Sequence, residues 1–103
     1  MSTRKLAPLA KNLALDVARR YPPAIANNPI QIVSPQRLTG ILEEVFVSAA
    51  QFNRENALGW YKRAMLGRRF RWELNELGYD SKFVDRAVEN LNRCVSGRPI
   101  SMN

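Results

Sequence analysis

The chain has 103 residues, of which 46% are hydrophobic, and its 16 Lys and Arg against 9 Asp and Glu give a formal charge of +7. That length and apolar content exclude a disordered tail and predict a single domain, 1–103, able to bury a core without metal or disulfide, with flexible ends at 1–7 and 97–103. One cysteine, no histidine, no signal-peptide pattern and no apolar run of membrane-spanning length predict a cytoplasmic, noncatalytic protein with no cofactor and no metal site.

Leu6, Leu9, Ala10, Leu13, Ala14, Val17 and Ala18 recur at helical spacing and predict a first helix that begins near Pro8, since proline is tolerated in a first turn. Tyr21-Pro22-Pro23 ends it. The stretch from Pro22 to Val33, with Asn27-Asn28, reads as irregular, and Ile30, Ile32 and Val33 offer at most a short extended piece. Ser34-Pro35 reads as a cap followed by a first helical residue. Leu38, Ile41, Leu42, Val45, Phe46, Ala49 and Ala50 then mark one continuous apolar stripe. Asn53 is the expected cap of a third helix that runs to about Leu77, with Gly67 as a point of interruption and Gly78 as its left-handed end. Asp80 or Ser81 caps a fourth helix, whose Phe83, Val84, Ala87, Val88 and Leu91 face inward. Amphipathic helices without convincing strands predict an all-α bundle of four or five helices, with a helix-turn-helix-like junction at Gly78 to Ser81.

The charge is unevenly placed. A first basic zone holds Arg4, Lys5, Lys11, Arg19, Arg20 and Arg37 against Asp16 alone. A second lies between Glu55 and Glu73, where no acidic side chain occurs and Lys62, Arg63, Arg68, Arg69 and Arg71 stand among Trp60, Tyr61, Phe70 and Trp72. Guanidinium and ammonium groups bind phosphate oxygens, and flat rings carry unstacked bases, so this mixture suits a nucleic-acid surface. In helical projection Leu66, Phe70, Leu74 and Leu77 share one arc, which belongs to the core. Tyr61, Met65, Arg68 and Trp72 share a second arc, with Lys62 and Arg69 beside it. A plain structural origin competes with binding, because Trp and Tyr are usually at least half buried and Arg stems pack over them. It explains one ring better than the whole cluster, since five neighbouring cations repel one another unless an anion relieves them.

Catalysis finds little footing. Glu43 and Glu44 are adjacent, and Glu73 and Glu76 read as solvated helix-face charges. Cys94 has no histidine to activate it and reads as a small buried apolar residue.

Arg20-Tyr21-Pro22, Pro29-Ile30-Gln31-Ile32 and Ala57-Leu58-Gly59-Trp60-Tyr61 follow one another in the order of short motifs in the ProQ/FinO family of RNA chaperones, which the chain resembles over roughly residues 13 to 91. The family's Asp-Leu-Asp-Gly hairpin has no clear equivalent after Arg71. The resemblance implies binding of structured RNA by a mainly helical basic domain, with Tyr61 and neighbouring arginines on the RNA face. From the residues themselves the expected function is noncatalytic, regulatory binding of RNA or DNA. Phosphate contacts would come from Lys62, Arg63, Arg68, Arg69 and Arg71, helped by Arg19 and Arg20, with stacking from Tyr61 or Trp72. The alternative is a helical interaction module or homodimer whose basic face docks an acidic protein partner.

Overall fold

Six helices make up the regular structure of the computed structural model, which describes residues 6–28, 34–56 and 59–96. They are α1 (Leu6–Arg20), α2 (Pro23–Ala26), α3 (Pro35–Val45), α4 (Val47–Asn56), α5 (Trp60–Leu77) and α6 (Ser81–Ser96). Among the described residues there is no strand, so the all-α bundle expected from periodicity is the fold. The expected flexible ends fall, for residues 1–5 and 97–103, outside the described residues, as do Ile30, Ile32 and Val33. Leu6 and Ala7, expected in the flexible end, are instead helical, with Leu6 buried. Pro8 fits there because a first-turn residue needs no intrahelical N–H bond.

Ala10, Leu13, Ala14 and Val17 bury the inner face of α1, and the Tyr21 N–H closes its last turn on the Val17 carbonyl at 2.7 Å. Pro22 lacks an N–H and stops it. The segment beyond, expected to be irregular, forms the single turn α2 with Pro23 in its first position. One turn is too short to persist alone. Asn27 ties it down: its Nδ2 donates to the Gly78 carbonyl at 2.8 Å, and its Oδ1 accepts from the Asp80 N–H at 3.1 Å. Tyr79 completes the joint, its hydroxyl donating to the Tyr21 carbonyl at 2.6 Å while its ring stacks on Phe83 at 4.5 Å.

Burial raises the Tyr79 phenol's pKa well above the ordinary tyrosine value, and the neighbouring Tyr21 adds to the shift. The folded state therefore holds the neutral phenol. Its contribution to stability is complete below the unfolded pKa of about 10 and is lost as pH rises above it. Tyr79→Phe should cost about 1–3 kcal/mol at neutral pH, because it removes a buried partner of the Tyr21 carbonyl. Denaturant titrations of the two proteins should show the wild type losing stability above about pH 10, and the variant losing less over the same range.

Ser34 caps α3 as expected, its Oγ accepting from the Arg37 N–H at 3.2 Å. The stripe read as one helix from Leu38 to Ala50 is divided at Phe46, where α3 ends and α4 begins. Phe46 is bonded to both helices, its N–H to Leu42 O and its carbonyl to Ala50 N–H, both at 2.9 Å, and the Ser48 hydroxyl donates to the Val45 carbonyl at 3.4 Å. The chain bends at Phe46, whose ψ of 2° departs from the helical value. Asn53, expected to cap the next helix, lies inside α4 and donates from Nδ2 to the Val95 carbonyl at 2.8 Å, tying α4 to α6. Gly59 takes the capping position instead, in extended backbone. This division and the one-turn α2 account for six helices against the four or five expected.

Gly67 does not interrupt α5. It is buried against α6, and a Cβ there would stand 3.1 Å from Asn92 Oδ1, so the glycine permits the close approach of the two helices. Gly78 ends α5 at φ 101°, a left-handed conformation, with the Gly78 N–H bonded to Asn75 O and the Tyr79 N–H to Leu74 O. Asp80, rather than Ser81, caps α6, its Oδ1 accepting from the Phe83 N–H at 2.9 Å. α5 packs between α1 and α6, α3 crosses to the same two helices, and α4 covers α3 and α6. At the centre Phe46 meets Phe70 edge to face, with ring centres 5.4 Å apart.

Candidate functional site

Helix α5 has two unlike sides. Leu66, Phe70 and Leu74 are fully buried, as their arc predicts, and Leu77 is half-buried. On the outer side Trp60, Tyr61 and Trp72 are 76%, 62% and 50% exposed. Large rings are normally covered, so three in solvent on one helix form an unusual surface. Trp60, named from sequence among the rings of this segment, was not assigned to the binding face. Its position next to Gly59, in the first turn, lifts it clear of the packed part of α5.

These rings line a groove of about 470 Å³ along α5, with Met65, Arg68 and Arg69 between them and the small Ala64 as floor. The second arc projected from sequence is thus brought together, and Trp60 extends it. The lining holds two guanidinium groups and no carboxylate. Trp60 and Tyr61 meet at 86° with centres 6.0 Å apart, while the Arg69 guanidinium sits 4.8 Å from the centre of the Trp72 ring.

The expected mutual repulsion of the cations is partly relieved from within. Arg69 Nε lies 3.0 Å from Glu73 Oε2, and Arg71 reaches Asp85 on α6 at 2.6 Å. Glu73, read from sequence as a solvated charge, is buried beneath its arginine. Arg68 is exposed and has no ion pair among the described residues. Lys62 and Arg63 are half-buried and each makes an interaction, so neither projects as a free cation. Arg63 lies on the α6 side, in a smaller groove of about 230 Å³ with Trp60, Asn92 and Val95.

Arg19 and Arg20 do not join this face. Arg19 pairs with Asp16 on its own helix, and Arg20 joins α1 to α3 through Glu44 at 2.7 Å. Neither lines the α5 grooves.

A second groove, of about 360 Å³, follows the seam between α5 and α6, and its sides are Arg68, Arg71, Val88 and Asn92 over Ala64 and Gly67. The participation of α6 had no signal in the sequence. Farther along the seam, a polar depression of about 500 Å³ sets Arg71, Lys82 and Arg86 among the carboxylates of Asp85 and Glu89, which offset most of their charge.

Cys94 is half-buried rather than fully enclosed. Desolvation raises its thiol pKa, Glu43 adds to the shift and Arg93 opposes it, so the thiol is protonated at neutral pH and poorly nucleophilic. Among the described residues no three potential metal ligands converge, and no helix is long and apolar enough to cross a membrane. Comparison with family models, with curated proteins and with solved structures finds no match.

Proposed function

We propose that this protein is a noncatalytic, regulatory nucleic-acid-binding domain whose interface is the outer side of α5. The observation that carries the reading is the groove of Trp60, Tyr61 and Trp72 with Arg68 and Arg69, exposed rings and guanidinium groups without a carboxylate in the lining. Arg68, exposed and without an ion pair among the described residues, has no partner there to give up on engaging a phosphate, and the overall charge of +7 draws a polyanion toward it. The ProQ/FinO resemblance adds RNA as the polyanion it implies. Of its motifs, Pro29 to Ile32, Ala57 and Leu58 lie outside the described residues. A cytoplasmic setting suits the single free thiol of Cys94.

One observation favours a second reading. Met65 and Ala64 give the groove an apolar floor that also suits a side chain from an acidic protein segment. Two copies of the face would bring like charges together, which disfavours a homodimer through it. A binding titration against nucleic acid across a salt series separates the readings. Nucleic-acid affinity that falls linearly on logarithmic axes, by about 0.7 to 0.9 per phosphate contact, supports the interface, and absence of binding at low salt refutes it.

A further inference from the structure

Trp60, Ala64 and Arg68, a row of residues four apart, form the outer ridge of α5: Ala64 and Arg68 line both the aromatic groove and the seam groove, and Trp60 and Ala64 border both the aromatic groove and the smaller one at Arg63. Ala64 is the low point of that ridge, a methyl group between an indole and a guanidinium. On one side lies the aromatic groove. On the other, the α5–α6 seam offers Arg68 across a floor kept shallow by Gly67, with the Asn92 amide and Arg71, which is bonded to Asp85, beside it.

We infer that the ligand of this face is a single strand, with phosphates held in the α5–α6 seam by Arg68, and by Arg71 in exchange for its ion pair with Asp85, and unpaired bases turned across Ala64 onto Trp60 and Trp72. This rests on the nucleic-acid reading above and deepens it. A duplex keeps the faces of its bases stacked inside and offers ring edges and phosphates, so exposed indoles gain little from it. An unpaired base has a free face of its own. Trp72 is prepared for one, since Arg69 braces the indole and adds a cation to the site. Trp60 and Trp72 stand about 18 Å apart along the axis, at 1.5 Å per residue, so they serve different bases of one strand. The perpendicular Tyr61 closes the Trp60 end rather than stacking in series with it.

The chain's two tryptophans are both in the proposed site, so intrinsic fluorescence reports on it directly. The full chain is titrated with one mixed-sequence oligonucleotide as single-stranded RNA, as single-stranded DNA, as a duplex, and as an abasic strand of equal length. Base-bearing single strands should quench the tryptophans, whichever sugar they carry, and the abasic strand should bind without quenching. Trp60→Ala and Trp72→Ala, both at exposed positions, should each lower single-strand affinity by roughly tenfold while leaving duplex affinity within about twofold. Ala64→Leu, which leaves the charge unchanged and raises the ridge, should cause a loss of comparable size. Equal binding of single strand and duplex with both tryptophans unquenched would overturn the inference and leave the nucleic-acid reading standing. Binding of none of the four probes would remove both.

Discussion

Phe46→Ala should destabilise the fold by on the order of 3–5 kcal/mol, the usual cost of emptying a fully buried phenylalanine site. Phe46 is inaccessible to solvent and sits where α3 ends and α4 begins, so its ring fixes both helices on α5 through Phe70. Truncation removes the edge-to-face contact and leaves a cavity at the meeting point of separate helices. Such a cavity closes poorly, because each wall is held by its own packing. Against a typical total stability of about 5–15 kcal/mol the loss is severe. Thermal unfolding should shift down by at least about 12 °C for a domain of this size. Phe46→Leu should lose markedly less. A melting temperature unchanged in Phe46→Ala would mean that the α3–α4 bend does not anchor the core.

Arg68→Glu should have the largest effect of any single substitution on binding, a loss of roughly tenfold to hundredfold, as expected when a charge-assisted phosphate contact is removed. Arg68 borders both grooves and has no ion pair among the described residues, so its reversal leaves no partner behind. The slope of log affinity against log salt should flatten by about 0.7 to 0.9. Arg69 is a poorer choice, because its reversal would set a new carboxylate against the buried Glu73 and perturb the fold. Arg37→Glu is the matched control. It makes the same change in charge at an exposed site on α3, which packs against α1, α4 and α6. Equal losses in the two variants would show a diffuse positive field in place of a site.

The helix faces were legible because burial follows the 3.6-residue period. Leu66, Phe70 and Leu74 lie inward as projected, and α6 buries Phe83, Val84, Ala87, Val88 and Leu91. The caps at Ser34 and Asp80 and the left-handed Gly78 were legible because each solves a local backbone problem. The bend at Phe46 was not. Val45-Phe46-Val47 contains neither glycine nor proline, and the stripe runs on across it, so only the surrounding packing places the division there. Asn53 misled because a capping residue and a helical asparagine bonded to another helix look alike in sequence.

The same limit applies to the site. That Tyr61, Arg68 and Trp72 share a face follows from spacing alone. Which cations remain available does not, because Asp85 reaches Arg71 only through the packing of α6 on α5, and Arg20 meets Glu44 only where α1 crosses α3. Glu73 lies one turn beyond Arg69, and that pair was open to reading from the spacing. Asn27 showed only as part of a loop, since its partners, Gly78 and Asp80, are distant in sequence.

The interface on the outer side of α5 is tested most directly by mapping amide chemical shifts while isotope-labelled protein is titrated with a single-stranded oligonucleotide at low salt. Changes should concentrate at Trp60, Tyr61, Ala64, Met65, Arg68, Arg69 and Trp72, extend across the seam to Asn92, and move the indole N–H signals of both tryptophans. Changes confined to α3 and α4, or spread evenly over every exposed lysine and arginine with the indole signals still, would contradict a binding site on α5.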